Sequence, residues 1–152
     1  MTHHPAPDLG LVGFQVCRVE VDYALGLLLF GGTPTEYASF RIDGLVTLRT
    51  PGGAAYEFDY TKGPAAFAPA LSLFNQCVRR AETNEAGRLE MAFEDGHVLT
   101  VEPGQGYEAW DFNGPHGFKV IALPSGGLAV WDAEPPAERP RAALRRTRPG
   151  RR

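Results

Sequence analysis

The sequence has few of the features that membrane-spanning, exported or disulfide-bonded proteins require. Its longest apolar run, ALGLLLF at residues 24–30, is far too short to cross a bilayer. The N-terminal MTHHPAPDLG has no basic stretch followed by an apolar one, as a signal peptide would. The two cysteines, Cys17 and Cys77, are expected to be free thiols in a reducing compartment. The sequence therefore predicts a cytoplasmic protein without a membrane segment.

Lysine is also scarce, and the charge is unevenly distributed. Lys62 and Lys119 are the only lysines, and arginine supplies the remaining positive charge. From residue 133 onward seven Arg and two Glu give +5, whereas residues 1–132 carry 8 basic and 16 acidic side chains, a net −8. An acidic body with a basic tail is not the pattern of a uniform nucleic-acid binder. It leaves open a tail that contacts nucleic acid and, as the favoured alternative, a tail that only solubilises the chain.

The two ends of the chain differ in composition from the rest. Residues 133–152 are rich in Pro and Arg and nearly free of large apolar side chains, so burial cannot offset their ordering entropy. We predict that this segment is a disordered tail. Residues 1–10 are predicted to be a flexible lead-in, which leaves residues 11–132 as a single domain.

Motifs of known chemistry are missing as well. The segments GGTPTEY and PGGAAYE lack the lysine and the helix of a phosphate-binding loop, and no triad, paired-carboxylate or zinc spacing is found. Cys17 and Cys77 lie too far apart for a CxxC motif, and His3-His4 has no neighbouring ligand residues. A cysteine–histidine pair with His97 or His116 is open only if the fold brings the residues together. The sequence predicts no metal, no cofactor, and a protein that is more readily a binder than an enzyme.

Most of the chain reads as short strands between turns that contain glycine. The strand segments are FQVCRVEVDY, ALGLLLF, EYASFRI, LVTLRT, CVRRAET, GRLEMAF, HVLTVEP, YEAWDF, FKVIALP and LAVW. The continuous run ALGLLLF is typical of a strand buried on both faces, and Asp43-Gly44 predicts a hairpin turn. One helix is predicted near residues 64–75, short or broken because it contains Pro69. The fold class is mainly β: a twisted antiparallel sheet or barrel-like domain of about eight to ten strands.

Two stretches are nearly alike: PGGAAYEFDY at residues 51–60 and PGQGYEAWDF at residues 103–112. FQVCRVEVD similarly resembles FNQCVRRAE, and each is followed by a strand that ends in phenylalanine. We therefore predict an internal repeat whose halves are related by a pseudo-twofold axis. In this alignment Cys17 and Cys77 occupy matching, buried strand positions.

The second of these stretches has two interpretations. On a strand, Glu108, Trp110 and Phe112 would share one face. Glu108 beside Trp110 could then serve in ligand binding or acid–base chemistry. Alternatively, Trp110 and Phe112 pack in the core and Glu108 pairs with an arginine or a backbone amide. The second interpretation is favoured, because buried aromatic residues on strands are usually packing residues.

The segments YEAWDF and VIALPSGGLAVW resemble the C-terminal signature of an uncharacterised family of small actinobacterial proteins. That family, a domain of unknown function, typically has a Tyr-Glu-Ala-Trp strand and a terminal Pro-Gly-Gly-x-Leu-Ala-Val-Trp strand. Here Tyr107 to Trp110, Gly126-Gly127 and Leu128 to Trp131 match. This chain departs from the pattern in having Ser125 between Pro124 and the glycines and no spacer before Leu128. The resemblance extends over about residues 11–132 and implies no particular activity.

Taken together, the sequence predicts a small binding or protein-interaction module. Its acidic body would suit a basic partner, as in immunity proteins that neutralise toxins. The alternatives are a small-molecule site or enzyme near Glu108 and Trp110, and nucleic-acid association through the tail. The candidate ligand- or partner-binding residues are Tyr107, Glu108, Trp110 and the loop residue His116. No pattern specifies an oligomeric state.

Overall fold

The computed structural model describes residues 5–135. In this range the chain is mainly β, with eleven strands and three 3₁₀ helices. The strands are β1 Gln15–Val21, β2 Leu25–Phe30, β3 Tyr37–Ile42, β4 Val46–Arg49, β5 Ala55–Phe58, β6 Val78–Thr83, β7 Leu89–Phe93, β8 Val98–Val101, β9 Trp110–Asn113, β10 Lys119–Ala122 and β11 Leu128–Trp131. The helices are η1 Tyr60–Lys62, η2 Pro64–Leu73 and η3 Pro115–Gly117.

The strands form two antiparallel sheets, which do not close into a barrel within the described residues. The first sheet has the order β1-β2-β3-β9-β10-β11, and the second has the order β5-β4-β8-β7-β6. Alternate residues of each sheet point into one shared apolar core. Trp110, Phe93 and Phe112 are the largest fully buried side chains of that core. The predicted fold class is confirmed, with one strand more than the range expected.

The strand order shows that the two halves of the domain repeat one topology. In the first half, the meander β1-β2-β3 lies in the first sheet, and the chain then crosses to β4 and β5 in the second. In the second half, the meander β6-β7-β8 lies in the second sheet, and the chain then crosses to β9 and β10 in the first. The pairing of β3 with β9 is accordingly matched by the pairing of β8 with β4. The predicted pseudo-twofold repeat is present in the strand topology.

The pseudo-twofold axis passes through an isolated antiparallel bridge between Gln15 and Cys77. Hydrogen bonds around this bridge come in symmetry-related pairs: Val16 N to Gln76 O (2.9 Å) with Val78 N to Phe14 O (2.8 Å), and Gly13 N to Val78 O (2.8 Å) with Asn75 N to Val16 O (2.8 Å). Gly13 and Asn75 both have positive φ, 87° and 68°. The first strand of each half, β1 or β6, therefore begins with the same backbone geometry, and each half donates hydrogen bonds to the other.

This bridge also corrects the register that the sequence predicted. Gln15, and not Cys17, is the counterpart of Cys77, and the offset between positions 15 and 77 is 62 residues. Cys17 lies at a bulge in the pairing of β1 with β2 and is exposed, while Cys77 is half-buried. The bulge turns Val16 inward and Cys17 outward, so the expected buried cysteines are not found. Both cysteines are free thiols.

The two Tyr-Glu stretches are likewise not structural counterparts. Tyr56 and Glu57 lie on β5, at one edge of the second sheet. Tyr107 and Glu108 precede β9, and β9 corresponds topologically to β4. The two similar sequence stretches therefore occupy non-equivalent positions in the two halves.

The Asp43-Gly44 turn does not form the predicted hairpin, because it carries the chain from β3 in the first sheet to β4 in the second. The backbone N–H groups of Asp43 and Gly44 both donate to the carbonyl of Ala109, at 2.9 and 2.7 Å. A Cβ on Gly44 would lie 2.9 Å from the Cβ of Ala109. Glycine is needed here for a close approach of two chain segments and not for a tight turn.

Two further expectations concern single elements. Helix η2 spans Pro64–Leu73 with Pro69 inside it, which confirms the short predicted helix as a 3₁₀ element. Strand β2 is buried on one face only: Leu25, Leu27 and Leu29 are buried and the alternate residues are half-buried. Most of the predicted tail and the first four residues of the lead-in lie outside the described residues.

Candidate functional site

A surface cleft of about 570 Å³ is lined by three tyrosines and two carboxylates, namely Tyr23, Asp43, Tyr60, Tyr107 and Glu108. These residues come from four separate connections: the β1–β2 turn, the β3–β4 crossover, helix η1 and the segment before β9. None of them lies on a strand. The cleft is therefore built from loops held by the two sheets, which is a common arrangement for binding sites.

The β1–β2 turn presents Tyr23 to solvent. The carboxylate of Asp22 accepts the backbone N–H of Ala24 at 2.8 Å, and the N–H of Asp22 donates to the Ala24 carbonyl at 3.1 Å. This closed turn leaves the Tyr23 side chain 87% exposed. An aromatic ring that is so exposed and so firmly supported at its backbone is available to contact another molecule.

Helix η1 holds Tyr60 in the lining of the cleft. The Asp59 carboxylate caps the helix by accepting from the N–H of Thr61 at 2.9 Å and from its hydroxyl at 2.7 Å. The Tyr60 hydroxyl donates to the carbonyl of Asp43, which joins η1 to the β3–β4 crossover. Its ring packs against Phe67 with centroids 5.7 Å apart.

Tyr60 remains protonated well into the alkaline range. Burial raises the pKa of Tyr60 to about 12, with smaller contributions from Asp43 and Tyr107. The phenol is therefore protonated at neutral pH, where it serves as a hydrogen-bond donor.

The cleft is negatively charged overall. Arg41 lies between Asp22 and Asp43, with nitrogen–oxygen distances of 3.4 and 3.7 Å. The backbone N–H of Ala24, followed by Arg41, lowers the pKa of Asp22 below its ordinary value. One guanidinium thus faces two carboxylates, and the exposed Glu108 adds a third.

A second, smaller cavity of about 330 Å³ adjoins the cleft and shares Tyr23 and Tyr60 with it. Asp22 and the ring of Phe67 also line this second cavity. The two tyrosines therefore line both cavities, and each cavity also has at least one acidic side chain in its lining.

The structure brings together two of the four predicted site residues. Tyr107 and Glu108 line the cleft. Trp110 is fully buried, and its indole N–H donates to the carbonyl of Gly87 at 2.8 Å, so it is a core residue and cannot touch a ligand. His116 is exposed in η3, which lies beyond the opposite end of β9 from Glu108.

Sequence reasoning missed Tyr23, Asp43 and Tyr60. Tyr60 is the last residue of the stretch PGGAAYEFDY, whose resemblance to PGQGYEAWDF was the available signal. The two stretches are not symmetry-related, yet each contributes a tyrosine to the same cleft.

The cysteine–histidine pairing left open by the sequence is not formed with His97. The two ring nitrogens of His97 face Asp95 and Ser72, at 2.5 and 3.1 Å. His3 and His4 lie outside the described residues. Between residues 5 and 135, no three His, Cys, Asp or Glu side chains come together as a metal site would require.

None of the helices between residues 5 and 135 has the length and hydropathy of a membrane-spanning segment. Among known proteins, residues 7–132 match the model of a family described as a family of unknown function, DUF6188. This match confirms the resemblance to an uncharacterised family and its extent. Neither a curated protein nor a solved structure matches the chain.

Proposed function

The chain belongs to the DUF6188 family, and we propose that it is a binding module that docks a positively charged segment of a partner protein in the tyrosine–carboxylate cleft. The observation that supports this proposal is the convergence of Tyr23, Tyr60 and Tyr107 with Asp43 and Glu108 around one open cleft. An immunity protein that neutralises a basic toxin would be one example of such a module.

The side chains of the cleft suit a cation better than a neutral or anionic ligand. The face of a tyrosine ring attracts ammonium and guanidinium groups, by roughly 0.5–1 kcal/mol at exposed sites. Carboxylates add charge-assisted hydrogen bonds, which an arginine can form in pairs. Tyrosine is also enriched among the residues that dominate protein–protein binding energies.

The charge of the body supports the same ligand class. Residues 1–132 carry a net −8. Such a field attracts a basic partner over several ångströms and increases its association rate, an effect that salt screens. We therefore expect the association rate to fall as the ionic strength rises.

A basic peptide provides the direct test. The full chain is titrated by calorimetry with acetylated, amidated tetra-arginine, and with tetra-glutamate as the control peptide. Tyr107→Ala and Glu108→Gln should each weaken tetra-arginine binding by roughly two- to fivefold. The matched control is the other Tyr-Glu pair on β5, where Tyr56→Ala and Glu57→Gln should leave binding unchanged.

Three results would contradict the proposal. Equal binding of tetra-glutamate would show that the site does not select positive charge. Equal losses from the β5 variants would show that tetra-arginine binds the acidic surface in general and not the cleft. Binding of choline or spermidine with no binding of tetra-arginine would favour a small organic cation, because the cleft volume also falls in the range of small-molecule sites.

A further inference from the structure

A second group of reactive side chains lies away from the cleft, where η2 meets the β7–β8 hairpin. The His97 Nδ1 is 2.5 Å from a carboxylate oxygen of Asp95, and its Nε2 is 3.1 Å from the hydroxyl of Ser72. Carboxylate, imidazole and hydroxyl are thus in contact in the order that nucleophilic hydrolases use. No spacing pattern in the sequence predicted this group, because the fold brings Ser72 to the other two residues.

Asp95 is held so that it fixes the orientation of the imidazole ring. One of its carboxylate oxygens accepts the backbone N–H of His97 at 3.0 Å. With its amide nitrogen turned toward Asp95, Gln76 donates to both carboxylate oxygens at 3.2 and 3.3 Å. In neutral His97 the Nδ1–H donates a hydrogen bond to the Asp95 carboxylate, so the lone pair of Nε2 faces Ser72. His97 is only 7% exposed, which shields this base from water.

Ser72 is placed to use that base. Its hydroxyl oxygen lies 2.6 Å from the Pro69 carbonyl and 3.1 Å from Nε2 of His97, so a rotation about the C–O bond moves the hydroxyl hydrogen from one acceptor to the other. Ser72 is exposed at the surface. Leu71 and Phe74, on either side of it, are 58% and 52% exposed, and they offer apolar surface to an acyl chain.

We propose that Ser72, His97 and Asp95 form a nucleophilic site that takes acyl groups from activated esters with an apolar acyl chain. The Ser72 oxygen attacks the carbonyl carbon while its proton passes to Nε2 of His97, and Asp95 stabilises the imidazolium. The ester C–O bond then breaks, and the leaving alcohol takes the proton from Nε2. Water attacks the acyl-serine by the same route, returning the free acid and the serine hydroxyl.

The substrate class is restricted to activated esters for a physical reason. Hydrolysis of an unactivated ester or amide requires preorganised donors for the oxyanion, which account for a large part of catalysis in hydrolases. A good leaving group lowers that requirement, so a nucleophile and its base are sufficient for slow turnover.

A fluorophosphonate probe tests the nucleophile directly. Attack by Ser72 forms an O–P bond and expels fluoride, and the released proton is taken up by His97. We expect labelling of the full chain at Ser72, located by peptide mass spectrometry, and loss of labelling in Ser72→Ala. His97→Gln and Asp95→Asn should reduce the labelling rate by tenfold or more. Ser125→Ala, an exposed serine in the β10–β11 turn, is the matched control and should not change labelling.

A second experiment does not depend on the buried histidine variant being folded. In Ser72→Cys, His97 should favour the thiolate, so that iodoacetamide alkylates position 72 faster than the exposed Cys17 of the same molecule. The ratio of the two rates should fall when Asp95→Asn is added. Circular dichroism checks that each variant is folded.

The proposal is overturned if Ser72 is labelled no faster than Ser125, or if the thiol introduced by Ser72→Cys reacts no faster than Cys17. In either case, the three side chains would only tie η2 to the β7–β8 hairpin. Binding of tetra-arginine in the cleft would be unaffected by Ser72→Ala, so this test is independent of the proposed binding function.

Discussion

The two halves of the domain share a topology, but they differ in which side chains they place at equivalent positions. Where β3 pairs with β9, Ile42 lies opposite Trp110, and where β8 pairs with β4, Val101 lies opposite Val46. Trp110 of the second half thus corresponds to Val46 of the first, and both are buried. The repeat preserves the backbone and the apolar character of a position, while the volume of the side chain differs between the halves.

The largest effect on this comparison is expected from truncating its bulky member. Trp110→Ala should lower the free energy of unfolding by about 3–5 kcal/mol, because it leaves a cavity in the core. It also leaves the Gly87 carbonyl without its 2.8 Å donor. Val46→Ala, at the equivalent position of the first half, should cost less, roughly 1.5–3 kcal/mol. Urea denaturation of both variants measures the difference in the free energy of unfolding. Equal losses would show that Trp110 contributes no more to stability than Val46 does at the equivalent position.

The β3–β4 crossover and the β4–β5 turn provide a second, smaller contrast. Gly44→Ala would bring a methyl group to 2.9 Å from the Cβ of Ala109, and we expect a loss of about 1–3 kcal/mol. Gly52→Ala is the matched control, because its Cβ would meet only the Thr50 hydroxyl, at 3.9 Å. Thermal unfolding should separate the two variants by several degrees. A tolerated Gly44→Ala would show that the crossover can move away from Ala109.

The smallest effect concerns the two tyrosines of the stretch PGGAAYEFDY, Tyr56 and Tyr60. Tyr60 has its pKa raised from 10.0 to about 12, so the folded state favours the neutral phenol. That contribution to stability is complete below pH 10 and is lost as the pH rises through 12. Tyr60→Phe should therefore remove a tyrosinate absorbance step near pH 12, whereas Tyr56→Phe should leave that step in place. Retention of the step in Tyr60→Phe would assign it to another residue.

Much of the fold follows from local patterns in the sequence. Alternating or continuous apolar residues identified most of the strands, and the short helix predicted near residues 64–75 is found as η2. Asp95-Gly96 lies between the predicted strand segments GRLEMAF and HVLTVEP and closes the β7–β8 turn, where Gly96 has a φ of 102°. Turn and strand signals of this kind depend on residues close in sequence, and a single sequence contains them.

What could not be predicted depends on contacts distant in sequence. The Asp43-Gly44 pair is typical of a hairpin turn. Its role as a crossover becomes clear only from the hydrogen bonds that its backbone donates to Ala109, which is distant in sequence. The bulges at Cys17 and, 62 residues later, at Arg79 are shared by the two halves, yet no sequence motif indicates them. The cleft joins four connections, so Tyr107 and Glu108 could be proposed from one stretch while Tyr23 and Asp43 could not.

Each sheet contains strands of both halves, so neither sheet is complete while the chain is still being synthesised. β3 pairs with β2 and β9, and β4 pairs with β5 and β8. Each of these two strands therefore has one unpaired edge until the second half has left the ribosome. A nascent chain that ends before β8 therefore exposes open strand edges to other nascent chains. Co-translational folding of the first half alone would produce an aggregation-prone intermediate, and the cleft itself is complete only after residue 108 has emerged.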